Sequence, residues 1–184
     1  PLFEGESLHK YDGANFHHID DNFGPDPQGD KQRLALAAET NDPSTWIRTS
    51  ADSLFLHLLK EAHSRNIKIV IDGVFNHSGT AFFAFRDVRE KQQDSPYADW
   101  YEVQRWDDPQ TEADEFEYSG WWDDKTLPVF REDENGLTKG PREYIFHITR
   151  RWMDPDGDGD PSDGVDGWRL DAADEVADAF WVEW

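Results

Sequence analysis

The sequence predicts an α/β fold with parallel strands, and two observations carry this prediction. One is the almost uninterrupted apolar, β-branched run over residues 67–75, which is typical of a parallel strand buried on both faces. The other is the order of the predicted elements, because helices alternate with strands along much of the chain. In such folds the active site lies at the carboxyl ends of the strands, so the polar residues within 72–77 and 169–175 are the first candidates.

The first third of the chain predicts one clear helix. Residues 1–43 carry turn signals and only a brief helical stretch at 34–38. The next segment predicts a helix that Ser50 caps and Asn66 ends. Its apolar stripe consists of Leu54, Phe55, Leu58, Leu59 and Ala62.

In the rest of the chain, an irregular excursion interrupts the alternation of predicted helices and strands. Residues 79–140 are rich in Trp, Asp, Pro and Gly, and they predict an inserted subdomain with no long periodic helix. A helix over 142–153, a strand over 165–173 and a helix over 174–184 follow. The resulting order is helix, strand, excursion, helix, strand, helix.

Composition excludes several classes of function. The chain has 184 residues, with 40 acidic and 18 basic side chains and a net charge of −22, which argues against nucleic-acid binding and against anionic membranes. It has no Cys, which excludes disulfides and thiolate metal sites. Nine Trp and twelve Phe argue against disorder. Adaptation to high salt and an ordinary acidic soluble protein both stay open as explanations of the charge.

Three charged residues stand where two strands end. Side chains alternate along a strand, so Arg169 and Asp171 share one face, and Asp72 lies near the end of the earlier strand. Buried charges are costly unless they are paired. Two interpretations are open: a carboxylate nucleophile held ionised by an arginine, or an ion-pair network that only ties the strands together.

Three segments resemble signature regions of the α-amylase family, glycoside hydrolase family 13. Residues 71–79 (IDGVFNHSG) resemble the first region, and residues 167–176 (GWRLDAADEV) resemble the second. Residues 9–12 (HKYD), with Ile19-Asp20 and Phe23-Gly24, resemble the stretch after the second barrel strand in the neopullulanase, cyclomaltodextrinase and maltogenic amylase branch.

The resemblance implies a partial (β/α)8 TIM barrel, about strands two to four, with an irregular domain B inserted after strand three. The corresponding segments are 1–78, 79–140 and 141–184. A complete barrel needs about 250 residues. We therefore expect a fragment of a longer protein, with strand one and strands five to eight outside it.

The resemblance also implies roles for single residues. Asp171 matches the nucleophile, Arg169 the arginine that orients it and keeps it ionised, and Asp72 the carboxylate paired with that arginine. His77 matches a histidine that hydrogen-bonds the sugar, and Tyr11 a tyrosine that stacks on it.

Further matches are less complete. Asp174 and Glu175 stand where the branch usually has Asn-Glu, on the acceptor side of the substrate site. Asn76 matches an asparagine that binds calcium in many α-amylases, although this branch often lacks the ion. The family's general acid Glu and its third essential Asp would lie beyond Trp184, so we expect the chain alone to be inactive.

Metal binding stays open at one acidic segment. Asp154, Asp156, Asp158 and Asp160 alternate as in an EF-hand loop, but Val165 replaces the bidentate Glu at position twelve. A looser calcium site and a plain Asp/Gly turn are the two remaining interpretations. No other cofactor is expected. For His17, His18 and His147, which lack metal-ligand spacing, we expect packing or surface roles.

The sequence therefore predicts a retaining hydrolase of α-1,4 bonds that acts on an α-glucan or a cyclodextrin. An α-glucosidase or glucosyltransferase, a non-catalytic carbohydrate-binding module and a calcium-binding structural protein are the alternatives. Trp121-Trp122 and Trp100-Tyr101 either stack on sugar rings or form the core of the excursion. We further expect no nucleic-acid or membrane partner, a homodimer of the longer protein and a cytoplasmic location.

Overall fold

The computed structural model describes residues 1–184 as five helices and ten short strands. The helices are α1 (Pro27–Ala37), α2 (Ser50–His63), α3 (Phe83–Lys91), α4 (Lys139–Met153) and α5 (Asp178–Glu183). The strands are β1 (Phe3–Gly5), β2 (Gly13–Ile19), β3 (Val70–Val74), β4 (Val103–Arg105), β5 (Glu117–Tyr118), β6 (Gly120–Trp121), β7 (Asp124–Pro128), β8 (Glu132–Asp133), β9 (Gly136–Leu137) and β10 (Gly167–Asp171). No helix combines the length and the apolar character that crossing a bilayer requires.

The strands form five separate pairs, and none of the sheets closes into a barrel. The pairs are β1 with β2, β3 with β10, β4 with β5, β6 with β7, and β8 with β9. The Asp166 N–H donates to the Ile69 carbonyl at the start of the β3–β10 pair, and Arg169 reaches Asp72 three residues further along both strands. Because both contacts advance in the same direction, β3 and β10 run parallel, as the sequence predicts.

The chain divides into two compact units, each built from several segments. The first contains residues 1–4, 15–73 and 144–170, and the second contains 5–14, 74–143 and 171–184. The domain boundaries drawn from the sequence, at 78 and 140, stay a prediction.

The first unit has an aromatic core around the end of α4. Trp152 is fully buried, and its ring lies 5.8 Å from Phe3 and 5.6 Å from Phe55 between centroids. The Trp152 indole N–H donates to the Phe16 carbonyl over 3.1 Å, which satisfies its one polar atom. This core holds β1, β2, α2 and α4 together.

The second unit has a separate aromatic core in the excursion. Phe85 of α3 is buried, with its ring 4.9 Å from Tyr101 and 4.7 Å from Tyr118. The Tyr101 hydroxyl lies 2.9 Å from that of Ser78, so this buried phenol is also hydrogen-bonded. The excursion is therefore packed around its own core, and α3 is a nine-residue helix that its composition does not predict.

Helix α2 begins one residue away from the position its sequence suggests. Thr49, not Ser50, is the N-cap: its hydroxyl accepts the Asp52 N–H, and the Asp52 carboxylate accepts the Thr49 N–H. The apolar stripe is also only partly buried. Phe55, Leu59 and Ala62 are buried, whereas Leu54 and Leu58 are 45% and 52% exposed.

Strand β3 is shorter and more exposed than its composition predicts. The expectation of a strand buried on both faces is wrong here, because Val70 is 58% exposed and the preceding Ile67 is 52% exposed. The physical reason is that the face of β3 that carries Val70 has no packed layer over it, and one edge of the strand also has no partner strand.

The two ends of the chain also differ from the predicted elements. Residues 1–43, predicted to be mostly loop, contain β1, β2 and the eleven-residue helix α1. The last predicted helix, over 174–184, is divided into a 3₁₀ turn at 173–175 and α5. The Trp181 indole N–H donates to the Ala173 and Val176 carbonyls, which braces this break.

Candidate active site

Strands β3 and β10 bring two of the predicted site residues of the first unit into contact. Arg169 Nη1 donates to Asp72 Oδ1 over 2.8 Å. The Asp72 side chain is 18% exposed and that of Arg169 is 55% exposed, so the pair lies at the surface of the unit and solvent screens it.

In the second unit, Asp171 stands at a sharp change of backbone direction. It is the last residue of β10, and Ala172 after it has φ +49° in the left-handed region. A non-glycine residue in this region costs of order 1 kcal/mol or more and is common near functional sites. The turn ends the strand directly after the half-buried carboxylate of Asp171.

His77 is a fully buried hydrogen-bond donor in the same unit. Its Nε2–H donates to the Tyr11 carbonyl over 3.1 Å, and its Nδ1 lies 3.3 Å from the amide nitrogen of Asn76, which donates to it. Burial lowers the pKa of His77, while the bond to Tyr11 and the charge of Asp171 act in the opposite direction. The imidazole is therefore neutral at pH 7, with its proton on Nε2.

A tryptophan covers one face of this imidazole. The ring of Trp121 is stacked on His77, with centroids 5.1 Å apart and 17° between the planes. Sequence reasoning missed this contact, since Trp121 comes from the β6–β7 hairpin and nothing in the local pattern relates it to His77.

A glycine lets the segment that carries Tyr11 approach the end of β3. The Gly79 N–H donates to the Gly13 carbonyl over 2.8 Å. A Cβ at Gly79 would lie 2.4 Å from the carbonyl oxygen of Asp12, which no real contact allows. Gly79 therefore permits the close approach that joins Tyr11 to His77.

The remaining aromatic candidates separate into two roles. Trp100 and Tyr101 are 2% and 1% exposed and belong to the core of the second unit. Trp122 is 82% exposed at the tip of the β6–β7 hairpin, and its indole N–H lies 3.3 Å from Glu175 Oε1, which accepts it. Asp174, next to Glu175, is exposed. Of these three aromatic side chains, that of Trp122 is therefore the one exposed enough to contact a ligand.

Comparison with known proteins now identifies the family. The model of the α-amylase catalytic domain matches residues 50–181, which is most of the chain. The chain belongs to the α-amylase family. Within this family it is 37% identical over its whole length to neopullulanase 2 of Thermoactinomyces vulgaris and 32% identical to the maltogenic α-amylase of Bacillus acidopullulyticus. It spans about a quarter of the length of these curated relatives, 25% in each case.

Solved structures of α-amylase family enzymes have the same fold over the whole chain. The debranching enzyme of Nostoc punctiforme superimposes with a TM-score of 0.69 at 32% identity, covering 100% of this chain and 30% of that one. The resemblance seen in the three sequence motifs therefore holds for the entire 184 residues.

The acidic segment after α4 brings only part of its predicted ligands together. Asp154 and Asp156 lie with Asp163 so that one oxygen of each falls within 4.8 Å of the others, while Asp158 and Asp160 are not in this group. Asp154 also accepts the N–H groups of Gly157 and Gly159, as an Asp/Gly turn requires. Desolvation, then repulsion from Asp156, raises the pKa of Asp163.

A second cluster of metal-ligand side chains lies elsewhere in the first unit. His17 and His18 are 1% and 0% exposed, and both rings contact the Glu39 carboxylate. Their burial agrees with the packing role expected of these histidines, and the structure adds Glu39 as a neighbour that their sequence spacing did not indicate. The partner follows 21 and 22 residues later, on a loop whose position local patterns do not reveal. The adjacent His-His pair was the one signal in the sequence.

Proposed function

We propose that this chain carries the nucleophile half of the active site of a retaining α-glucan hydrolase. The observation that carries the proposal is the end of β10, where Asp171 follows Arg169 by two residues and Arg169 binds Asp72. An arginine that is itself held by a carboxylate has a fixed position from which to orient a neighbouring nucleophile.

In the proposed reaction, the carboxylate of Asp171 attacks the anomeric carbon while the bond from that carbon to the glycosidic oxygen breaks. The leaving oxygen takes a proton from a general acid, and water later releases the sugar with the same stereochemistry. His77 is proposed to hydrogen-bond a sugar hydroxyl, which requires its Nε2–H to exchange the Tyr11 carbonyl for the sugar oxygen. Tyr11 is proposed to stack on the same sugar.

The proposed substrates are cyclodextrins, pullulan or starch oligosaccharides with α-1,4 bonds. The names of the relatives support this class, since they include neopullulanase, cyclomaltodextrinase and a debranching enzyme. Asp174 replaces the usual Asn beside Glu175, so the preference between α-1,4 and α-1,6 bonds is open. The exposed Trp122, which binds Glu175, supports an acceptor-side platform for a second sugar.

We further propose that the chain forms part of a longer catalytic domain and has no hydrolase activity by itself. The exposed apolar side chains of Leu58 and Val70 support this, because further barrel strands would cover them. The general acid expected for the family would then come from the rest of that domain. A homodimer of the longer protein and a cytoplasmic location stay predictions.

The proposal is tested in the longer protein that contains this chain. Asp171→Asn should reduce turnover of a cyclodextrin by at least about 10⁴-fold, as loss of a covalent nucleophile does, with little change in sugar affinity. Asp178→Asn, which alters an exposed carboxylate in the first turn of α5 outside the proposed site, is the control that should keep turnover. A slowly hydrolysed fluoro-sugar should label Asp171, as detected by mass spectrometry.

The outcomes separate the alternatives. Turnover that survives Asp171→Asn would overturn the nucleophile assignment. A wild-type protein that binds glucans but never turns them over would favour the non-catalytic binding module. A product released with inverted stereochemistry would exclude the retaining mechanism.

A further inference from the structure

We propose that His17, His18 and Glu39 form a binding site for one divalent transition-metal ion, with Zn²⁺ as the typical occupant. The Nε2 atoms of the two histidines lie 3.2 Å and 2.9 Å from the same Glu39 oxygen, Oε2. One ligand atom from each of the three residues falls within 4.8 Å of the other two. Two imidazole nitrogens and a carboxylate are a ligand set that zinc accepts, and a fourth position is left for water.

The convergence of the two histidines is not what a strand normally gives. Neighbouring residues on a strand point to opposite faces. His17 and His18 are neighbours on β2, yet their ring centroids are only 4.7 Å apart. The ring of Trp46 stacks on His17, with centroids 4.2 Å apart and 6° between the planes, and holds it on this side. Packing therefore holds the two histidine rings on the same side of β2, although strand geometry alone would place them on opposite sides.

In each ring, Nδ1 is the outer nitrogen, which faces away from Glu39, and it has its own hydrogen-bond partner. This partner fixes the direction of Nε2, the nitrogen that faces Glu39. His18 Nδ1 lies 2.7 Å from Asp52 Oδ2, and His17 Nδ1 lies 2.8 Å from the Tyr144 hydroxyl. A carboxylate is a usual partner for the ring nitrogen of a metal-bound histidine that does not bind the metal, as Asp52 is for His18.

The bond between His18 and Asp52 defines what must lie between the His18 ring and Glu39. An ionised Asp52 can only accept, so His18 donates from Nδ1 and directs Nε2 at the Glu39 carboxylate. An Nε2 lone pair against a carboxylate oxygen is repulsive, so this position needs a cation between them: a metal ion or a proton on the ring. The surroundings exclude bulk water, because both histidines are buried and the Glu39 side chain is 9% exposed.

Glu39 is also held in place for this role. Its Oε1 accepts the backbone N–H of Ile47 over 2.7 Å, which directs the carboxylate from its loop towards β2. The guanidinium of Arg151 donates to Asp52 and to the Ile47 carbonyl. The ion would join the loop between α1 and α2 to β2, which is a structural role independent of the proposed hydrolase function.

The test uses the purified chain without a histidine tag, stripped with a chelator and titrated with ZnCl₂ by calorimetry. We expect one ion per chain. Co²⁺ should give the visible absorption bands of a nitrogen-ligated site. Glu39→Gln and His18→Gln should each weaken Zn²⁺ binding at least about 10-fold. His63→Gln, which alters a histidine paired with Asp166 near the surface, is the matched control and should bind as the wild type does.

Two results would overturn the proposal. One is a folded wild-type chain that binds no Zn²⁺, in which case protons and hydrogen bonds alone hold the cluster. The other is unchanged affinity in folded Glu39→Gln and His18→Gln. If these variants do not fold, ¹⁵N spectra of the seven wild-type histidines decide instead. One equivalent of Zn²⁺ should shift the ring nitrogens of His17 and His18, and unshifted signals would refute the site.

Discussion

Arg169 and Asp72 are joined by a 2.8 Å hydrogen bond although 97 residues separate them in the chain. A second ion pair lies just before the same two strands, where Lys68 Nζ is 2.7 Å from Asp166 Oδ1. The cation of each pair is mostly exposed, 55% for Arg169 and 78% for Lys68. Comparing the two ion pairs can therefore separate an effect on stability from an effect on catalysis.

We predict that the Arg169–Asp72 pair contributes little to stability. A double-mutant cycle with Arg169→Gln and Asp72→Asn should give a coupling free energy of unfolding below about 1 kcal/mol, because solvent screens the pair. The Lys68–Asp166 pair should give a similar value in urea denaturation. In the longer protein, only the Arg169–Asp72 variants should lose hydrolase activity. A coupling above about 2 kcal/mol for Arg169–Asp72 would instead favour the interpretation that this pair mainly ties the strands together.

Asp30 provides a pH-dependent prediction. Its buried carboxylate accepts the Ser50 N–H over 2.8 Å, the Ser50 hydroxyl over 2.6 Å and the Ala51 N–H over 3.1 Å. Burial alone would raise the pKa of Asp30, but these bonds and the contact with Arg33 lower it from 3.8 to about 2. Because the pKa is lower in the folded chain, the ionised carboxylate stabilises the fold above pH 4, and this contribution disappears as the pH falls through 2.

Asp30→Asn should therefore lower the free energy of unfolding by about 2 kcal/mol near neutral pH, since charge-assisted hydrogen bonds at the start of α2 are lost. The difference from the wild type should shrink as the pH falls from 4 to 2, measured by denaturant unfolding at each pH. Asp26→Asn is the control: Asp26 is an exposed N-cap of α1, and Asn caps a helix equally well. A pH-independent difference for Asp30→Asn would contradict the assignment.

The elements that local periodicity determines could be predicted from the sequence. Helices α2 and α4 and strands β3 and β10 carry apolar patterns that follow from their own residues. Strand β2 carries no such pattern, because its buried His17 and His18 are satisfied by Glu39 and Asp52 from distant segments. Helix α1 likewise buries Asp30 rather than an apolar stripe.

The same distinction applies to the candidate site. Asp72, Arg169 and Asp171 stand out because strand ends are visible in the sequence. The stack of Trp121 on His77 depends on where the β6–β7 hairpin lies, which is a tertiary property that no local spacing encodes.

The exposure of the tryptophans leads to a paired prediction. Trp100 is buried, so Trp100→Ala should cost about 3–5 kcal/mol in the free energy of unfolding. Trp122 is 82% exposed, so Trp122→Ala should change stability by less than about 0.5 kcal/mol. If Trp122 stacks on a sugar, its loss should weaken maltooligosaccharide binding roughly 2- to 10-fold, measured by calorimetry. Unchanged affinity in Trp122→Ala would remove this ring from the proposed acceptor side.

A substitution at Gly79 tests the close backbone contact that supports the hydrogen bond between His77 and the Tyr11 carbonyl. Gly79→Ala places a Cβ 2.4 Å from the Asp12 carbonyl oxygen, so the segment with Tyr11 must move or the chain must strain. We expect a loss of about 1–3 kcal/mol in the free energy of unfolding, together with weaker sugar binding. Gly167→Ala is the control, since its Cβ would meet only the Val70 side chain, at an ordinary 3.8 Å. Equal stability of the two variants in urea would show that the approach of residues 11–13 to His77 does not depend on the missing side chain at Gly79.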